Sequence, residues 1–331
     1  MRTKASELLD VALAAVPGAQ AREGQHDMVE AVAKALRDRE HLLVQAGTGT
    51  GKSLGYLVPA LASGKRVVVA TATKALQAQL VDKDLPRLVA SLTGVLGHPP
   101  TFALAKGRSN YLCLQQIHGS IQEPEQDELW DGPTSMIGAQ VVQLREWASD
   151  AVTGDRDEVP FPVNDRAWRQ VSVSARECLG SKCPDRIDCF AERAREDAKE
   201  ADIVVANHAL LALDAFTSAQ VLPEHDAVII DEAHEFAASA TDALSHELSP
   251  TAVRRAAAAA KPHVSEATHE RLEDAHAVLE TVTLGLVPGW LPDLSPQLVT
   301  ALAVVEQITG TAAAEVKGDG DELEAARRER V

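Results

Sequence analysis

The chain has 331 residues, of which 45% are hydrophobic and 24% charged, and its formal net charge is −17. This length allows two domains, and this apolar content supplies a sizeable core and excludes wholesale disorder. The negative charge disfavours broad, nonspecific attraction to phosphate backbones, so any contact with nucleic acid has to come from local patches.

Short apolar runs alternate with helical periodicity along much of the chain. Residues 26–40 carry an apolar helical face, and the apolar run 41–44 predicts a strand that leads into a glycine-rich loop. Further elements are predicted as strands at 65–73, 101–105, 201–206 and 227–230, with a helix over 74–89. Strands that alternate with helices predict an α/β fold with a parallel sheet.

The stretch 107–200 interrupts this alternation. It is richer in Pro, Gly and Trp, and a compact α/β core of roughly 100–150 residues would not need it. We therefore predict the first part of the core at 1–106, an inserted, mainly helical domain at 107–200, and the remainder of the core at 201–245. The region 246–331 is predicted to be helical, with a frayed or disordered end over 317–331.

The glycine-rich loop runs from Ala46 to Ser53, between a predicted strand and a predicted helix. In that setting, loop N–H groups cradle phosphates, a lysine reaches the β- and γ-phosphates, and a hydroxyl ligates Mg²⁺. We assign phosphate contact to Lys52 and Mg²⁺ ligation to Ser53. The cradle is assigned to Gly47, Thr48, Gly49, Thr50 and Gly51. Ala46 departs from the strict pattern, but the glycines that shape the loop remain.

Two acids follow the apolar run 228–230. A carboxylate at the end of a buried strand can support Mg²⁺, and a neighbouring glutamate can orient and deprotonate a water. We assign these roles to Asp231 and Glu232, with Lys52 as the third catalytic residue. An acidic helix cap is the plainer interpretation, and the phosphate loop upstream favours catalysis over it. His234 either couples the γ-phosphate to another domain or caps the helix.

Arg22 and Gln25 lie upstream of the loop. A glutamine amide can pair with the adenine edge through one donor and one acceptor. From these residues alone, an ordinary surface loop is an equal interpretation.

The four cysteines of the chain are Cys113, Cys178, Cys183 and Cys189. Their spacing lacks the paired C-x2-C hairpins of zinc ribbons. Thiolates hold either Zn²⁺ or a [4Fe–4S] cluster, and the loose spacing with one distant ligand favours the cluster. Zinc and four unrelated buried thiols both stay open on spacing alone.

The sequence predicts a cytoplasmic protein without membrane association. No apolar run approaches the ~20 residues of a membrane span, and acids come too early in the N-terminus for a secretory signal. A reducing compartment favours metal or cluster ligation by the cysteines over disulfides.

Taken in order, these segments resemble the iron–sulfur superfamily-two DNA helicases of the DinG/XPD type, and DinG more than XPD. The resemblance covers about residues 20–245. It rests on the x4 and x5 spacing of the last three cysteines and on six segments: 22–25 (adenine recognition), 45–53 (motif I), 71–80 (motif Ia), 106–113 (leading into the cluster domain), 201–211, and 228–234 (motif II, the DEAH box).

The resemblance implies a RecA-like domain, an inserted iron–sulfur domain at 107–200 and a partial Arch-like region after residue 245. It implies ATP-driven translocation and unwinding of single-stranded or forked DNA, typically 5′ to 3′. ATP, Mg²⁺ and a [4Fe–4S] cluster on the four cysteines are the implied cofactors. Motif Ia residues Thr71, Thr73 and Gln77 are the implied DNA contacts.

One family feature is missing from the sequence. Family members carry a second RecA-like domain with a Gln-x-x-Gly-Arg-x-x-Arg motif, and no such motif occurs here. Arginines from that domain stabilise the transition state, a role worth about 10³–10⁵ in rate in related NTPases. We therefore expect this chain alone to bind ATP, to hydrolyse it slowly and not to unwind DNA. It would be a fragment, or a separate chain would supply the second domain.

Two other functions remain open from the sequence. One is a DNA- or partner-binding module that keeps ATP binding without turnover. The other is a zinc-stabilised P-loop ATPase unrelated to nucleic acid.

Overall fold

The structure is a computed structural model, and it describes residues 4–15, 22–47, 50–119 and 136–316. The predictions for Thr48, Gly49 and the end at 317–331 lie outside these residues. The chain divides into two compact units, each treated separately below. One contains residues 1–172 and 188–245, and the other contains residues 173–187 and 246–331.

A four-stranded parallel sheet organises the first unit. Its strands are β1 Val67–Thr71, β2 Phe102–Leu104, β3 Ile203–Asn207 and β4 Ala227–Ile230, in the order β2-β3-β1-β4. All five residues of β1 are buried, as expected for a central parallel strand made of valine, alanine and threonine. The predicted α/β fold with a parallel sheet is confirmed, and these four strands lie within the predicted ranges or one residue beyond them.

The helices of the first unit connect and cover these strands. They are α1 Lys4–Ala14, α2 Glu23–Asp38, α3 Lys52–Ala62, α4 Lys74–Gln79, α5 Leu85–Leu96, α6 Leu114–Gly119, α7 Met136–Ala148, α8 Asp165–Arg169, α9 Phe190–Glu200, α10 His208–Phe216 and α11 Phe236–Leu244. The single helix predicted over 74–89 is interrupted by a π-helical turn at Leu80–Asp84, which joins α4 to α5.

The sheet has an apolar core on each face because successive side chains of a strand point to opposite faces. Val67 and Val69 of β1 pack into one core, with residues from α1, α2, α3 and α5. Val68 and Ala70 pack into the other core, with Leu210 and Leu211 of α10. Packing on both faces buries the central strands β1 and β3 and leaves the carboxyl-terminal edge of the sheet for the loops that follow the strands.

The strand predicted at 41–44 is not formed, and that prediction is wrong for the described structure. Residues 41–47 have no regular structure. Leu43 is 91% exposed, and Leu42 and Val44 are exposed as well. A strand needs a hydrogen-bonded neighbour, and none of the four described strands pairs with this segment. Apolar composition alone therefore did not specify a strand here.

A second, smaller core lies within the first unit, in the range predicted as an insertion. Short antiparallel bridges join Tyr111 to Asp155 and Leu112 to Ser172. Its buried members are Tyr111, Leu112, Val141, Leu144, Ala167, Trp168, Val171, Phe190 and Ala191. The range therefore has apolar packing of its own, around α7, α8 and the start of α9.

Lys106, which follows β2, forms ion pairs with two aspartates next to this core. Its ammonium group pairs with Asp155 and lies 2.8 Å from Asp157, and its side chain is only 10% exposed. Burial opposes the charge, but the hydrogen bonds to the two carboxylates outweigh it and raise the pKa of Lys106. Lys74 reaches Asp157 from the other side, at 3.2 Å, with its side chain 68% exposed.

Removing Lys106 should destabilise the first unit far more than removing Lys74. Lys106→Met leaves the buried Asp155 carboxylate without its cation, so we expect the free energy of unfolding to fall by about 3 kcal/mol. Lys74→Met breaks an exposed pair and should cost less than about 1 kcal/mol. Urea denaturation of the two variants provides the comparison, and equal losses would contradict this account of Lys106.

The second unit contains a helical bundle. Its helices are α12 Pro250–Ala260, α13 Glu266–Leu284 and α14 Pro296–Val316, and they pack around Leu272, Leu279, Ala301, Val305 and Ile308. Ser249 and Ser265 begin α12 and α13 as N-caps that accept backbone hydrogen bonds. Across the described ranges of both units, no helix is long and apolar enough to cross a membrane.

Candidate nucleotide site and cysteines

The last residues of the glycine-rich loop lead directly into the N-terminus of α3. Gly51 precedes the helix with φ at 78°, a conformation that glycine adopts at little cost. The Thr50 hydroxyl donates to the Gly47 carbonyl at 2.8 Å. Lys52 and Ser53 then stand on the first turn, where free backbone N–H groups and the helix dipole favour a phosphate.

Lys52 and Glu232 form an ion pair across 180 residues of sequence. The Lys52 Nζ atom donates to Glu232 Oε1 at 2.5 Å, and both side chains are more than two-thirds buried. The Glu232 carboxylate raises the pKa of Lys52, and the same contact lowers the pKa of Glu232. The stabilisation that comes from the Glu232 shift is therefore complete at neutral pH and is lost as the pH falls through the lowered pKa.

Asp231 stands at the end of β4 beside this pair. Its backbone N–H donates to the Ala70 carbonyl at 2.8 Å, which continues the β1–β4 pairing by one residue. Tyr56 of α3 donates to Asp231 Oδ2 at 3.3 Å. Burial and the nearby Asp231 charge raise the pKa of Tyr56, so its hydroxyl stays a donor at any physiological pH. The structure thus brings the predicted residues Lys52, Asp231 and Glu232 together.

Gln25 lies against the phosphate loop and is buried. Its Oε1 atom accepts from the Arg22 N–H at 3.3 Å, and its Nε2 atom donates to the Gly51 carbonyl at 3.5 Å. Arg22 itself is exposed at the start of α2. Both ends of the Gln25 amide are therefore engaged within the protein, and pairing with adenine would require the amide to turn away from Gly51.

Two residues near the DEAH box received no role from the sequence. Tyr56 is one, and His208 is the other: its Nε2 atom lies 2.9 Å from the Asp231 carbonyl oxygen. The aromatic position in α3 and the histidine after β3 were the available signals. His234, by contrast, is 72% exposed, with Nδ1 3.6 Å from Glu232 Oε2.

The residues predicted to contact DNA differ in exposure. Thr71 and Gln77 are buried, whereas Thr73 is exposed. The Thr73 hydroxyl caps α4 by accepting from the Leu76 N–H at 3.2 Å. Of the three, Thr73 is the side chain that a ligand can reach at the surface.

All four cysteines are of intermediate exposure, and none of them forms a disulfide. Cys189 packs against the small core of the first unit, and Cys113 stands between Leu112 and Leu114, which also contact that core. Cys178 and Cys183 belong to the second unit, where Gly180 N–H donates to Cys178 Sγ at 3.4 Å. The donor set suits a cluster because four thiolates are its usual ligands. In the described ranges, no three Cys, His, Asp or Glu side chains are grouped closely enough to hold a metal ion.

Comparison with known proteins identifies the family. Residues 24–95 match the family described as "DEAD/DEAH box helicase". The chain is 49% identical over 304 residues to "ATP-dependent helicase DinG" of Mycobacterium tuberculosis strain H37Rv, which covers 88% of this chain and 46% of that protein. The chain belongs to the DinG-type helicase family.

Other relatives agree with the DinG assignment. "ATP-dependent DNA helicase YoaA" of Escherichia coli K12 is 39% identical over 241 residues, which cover 71% of this chain and 36% of that protein. "3'-5' exonuclease DinG" of Bacillus subtilis 168 is 35% identical over 234 residues, covering 69% and 24%. The chain thus spans about half, or less, of the length of the curated DinG-type relatives it matches.

A solved structure titled "Truncated XPD" also overlaps with the chain. Its TM-score is 0.44 at 17% sequence identity, and the overlap covers 91% of this chain and 80% of the other. The similarity to DinG-type helicases rests on the sequence matches alone, because a TM-score of this size carries no argument.

Proposed function

We propose that this chain carries the nucleotide-binding part of a DinG-type, ATP-dependent DNA helicase. The observation that supports this most is the contact between Lys52 of the phosphate loop and Glu232 of the DEAH box. Two motifs far apart in sequence meet at one point, beside Asp231 and the N-terminus of α3. ATP binding and hydrolysis require these groups within a few ångströms of each other.

The resting ion pair defines how the site would respond to ATP. The β- and γ-phosphates compete with Glu232 for Lys52, and their larger charge favours the exchange. Glu232 is then released from Lys52, so its carboxylate becomes a better base for the attacking water. Ser53 and Asp231 would hold Mg²⁺, which neutralises charge on the phosphates. On ATP binding, Lys52 would therefore change its partner from Glu232 to the phosphates, and Glu232 would become available as the base.

Adenine recognition is proposed for Gln25 and Arg22. Gln25 donates to the Gly51 carbonyl of the phosphate loop, and its amide would exchange this hydrogen bond for the adenine edge when ATP binds. A Cβ atom placed on Gly51 would lie 1.9 Å from Gln25 Nε2, which shows how closely the two residues pack.

Gly51→Ala should weaken ATP binding about tenfold, because the added Cβ overlaps with the Gln25 amide and strains the phosphate loop where it enters α3. Gly64→Ala is the matched control, since Gly64 also has positive φ, at 64°, but nothing lies within 4 Å of its added Cβ. Both variants should lose about 1–2 kcal/mol of stability through backbone strain. Isothermal titration with MgATP distinguishes them, and equal affinities would show that the packing of Gly51 against Gln25 is not part of the nucleotide site.

The DNA substrate is proposed from the relatives' printed names and from motif Ia. Thr73 is exposed at the start of α4, next to the exposed Lys74. A lysine and a hydroxyl suit a phosphate backbone contact, which carries no sequence preference. Thr71 and Gln77 would support this segment from within. We also propose that Cys113, Cys178, Cys183 and Cys189 ligate a [4Fe–4S] cluster, as the resemblance to the family implies.

A second candidate is an ATP-binding module for DNA or a partner protein, without turnover. The ion pair between Lys52 and Glu232 favours this candidate, because a carboxylate that is paired with Lys52 in the described structure is a weaker base for water. The two candidates differ in whether DNA stimulates hydrolysis.

An ATPase assay with and without single-stranded DNA, beside a filter-binding assay, tests the proposal. A nucleotide-binding part of a helicase motor should bind single-stranded DNA and show slow hydrolysis that DNA accelerates. DNA binding with no hydrolysis at all would favour the module. The absence of both DNA binding and hydrolysis would reject the helicase part and the DNA-binding form of the module. We expect this chain alone not to unwind a 5′-tailed duplex, since the second RecA-like domain of the family is needed for that step.

A further inference from the structure

His208 is a buried histidine that touches the backbone of the DEAH box. It is 1% exposed, and its Nε2 atom lies 2.9 Å from the Asp231 carbonyl oxygen. A carbonyl oxygen only accepts hydrogen bonds, so Nε2 carries the proton and donates. His208 thus reaches from the end of β3, past β1, to the residue after β4.

We propose that His208 is a positioning residue for ATP hydrolysis, which acts by fixing the peptide between Asp231 and Glu232. This inference rests on the proposed ATPase function. His208 contacts neither of the two carboxylates. Its role would be to set the direction in which Glu232 leaves the strand.

The peptide between Asp231 and Glu232 is held at both of its polar groups. Its carbonyl accepts from His208, and its N–H, which belongs to Glu232, donates to Asp231 Oδ1 at 3.1 Å. A peptide plane with both groups bonded cannot rotate without losing one of these bonds. The turn that follows therefore starts from a fixed orientation.

Glu232 needs such support because its backbone is unfavourable. Its φ is 52° and its ψ is 46°, a left-handed conformation that costs a residue with a Cβ roughly 1–2 kcal/mol. That conformation directs the carboxylate to Lys52. Backbone strain of this kind persists only where the surroundings determine it, and the His208 bond is one such determinant.

His208 is itself held rigidly. It is the first residue of α10, directly after Asn207, whose Oδ1 atom caps that helix by accepting from the Leu210 N–H at 2.7 Å. Its ring meets the ring of Phe236 edge to face, with centroids 5.5 Å apart. Its buried Nδ1 atom has no hydrogen-bond partner in the part of the chain that the structure describes. The Nε2 bond to Asp231 is thus the polar contact that fixes this ring.

The test compares His208→Phe, which keeps a ring against Phe236 but removes the donor, with His208→Gln, which restores an N–H donor. His225→Phe is the matched control, because His225 Nδ1 lies 2.9 Å from the Pro223 carbonyl, before β4 rather than after it. Single-turnover hydrolysis, MgATP affinity, and hydrogen exchange of a peptide spanning 228–236 are measured on the full chain.

We expect His208→Phe to slow hydrolysis on the order of 10²-fold, the effect of a displaced catalytic group, with MgATP affinity within about threefold of wild type. In His208→Phe, the rate of hydrogen exchange should rise in the 228–236 peptide and stay unchanged in β1 and β3. His208→Gln should recover most of the rate, and His225→Phe should match wild type.

Three results would overturn the proposal: an unchanged rate and unchanged exchange in His208→Phe, a loss of protection spread over β1 and β3, or equal defects in His208→Phe and His208→Gln. If the wild-type chain does not bind MgATP, the proposed function fails, and the exchange of 228–236 alone decides whether His208 holds this peptide.

Discussion

Glu232→Gln is expected to lower the rate of ATP hydrolysis by about 10³-fold, within the range of a lost general base. The amide keeps the size of the carboxylate but cannot take a proton from water. MgATP affinity should stay equal or increase, because Lys52 no longer has a carboxylate competing with the phosphates. Single-turnover hydrolysis and equilibrium binding, measured on the same preparation, separate the two effects.

Glu235→Gln is a suitable control for this variant. Glu235 lies three residues after Glu232 and is exposed. Both substitutions replace a glutamate by a glutamine, so they change the net charge of the chain equally. Its hydrolysis rate should match wild type. A Glu232→Gln protein that hydrolyses ATP normally would exclude Glu232 as the base, and one that loses MgATP binding would show that the Lys52 pair is needed to form the site.

Cys183→Ser is expected to remove nearly all protein-bound iron and the visible absorption of a [4Fe–4S] cluster. Ligation energy is folding energy in such sites, at ≈ 10–16 kcal/mol for structural zinc in peptides, so the segment around the lost thiolate should become open to proteases. Iron and sulfide analysis, absorption spectra and limited proteolysis of anaerobically purified protein measure this.

Ser181→Ala is the control for the cysteine variant, since Ser181 is an exposed neighbour in the same short turn. It should retain iron and the wild-type cleavage pattern. Bound zinc in place of iron in the wild-type protein would favour the zinc alternative, and a Cys183→Ser protein that keeps its iron and its colour would remove Cys183 from the ligand set.

The sequence predicted the sheet well because its strands are short, uninterrupted apolar runs. The run 67–71 is rich in valine, which is typical of a buried parallel strand, and the runs at 203–207 and 227–230 pair with it. The run 41–44 is also short and mostly apolar, but it lacks a partner strand in the described structure, and its leucines are exposed. Composition predicts the tendency to form a strand, whereas pairing decides the outcome.

The contact between Lys52 and Glu232 could be predicted from the motifs, because the phosphate loop and the DEAH box are both assigned roles at the phosphates of ATP. Contacts through the backbone were not. His208 bonds a carbonyl, which has no sequence signal, and Gln25 is engaged by Arg22 and Gly51 rather than free. Burial of Gln77 also depends on tertiary packing that motif Ia does not encode.

Equilibrium binding of MgATP to the full chain tests whether Lys52, Asp231 and Glu232 form a nucleotide site. We expect saturable binding of one nucleotide per chain that requires Mg²⁺ and that is weakened at least about 100-fold in Lys52→Ala, the loss expected for charge-assisted bonds to phosphate. Absence of binding at millimolar MgATP, or equal affinity in Lys52→Ala, would contradict it.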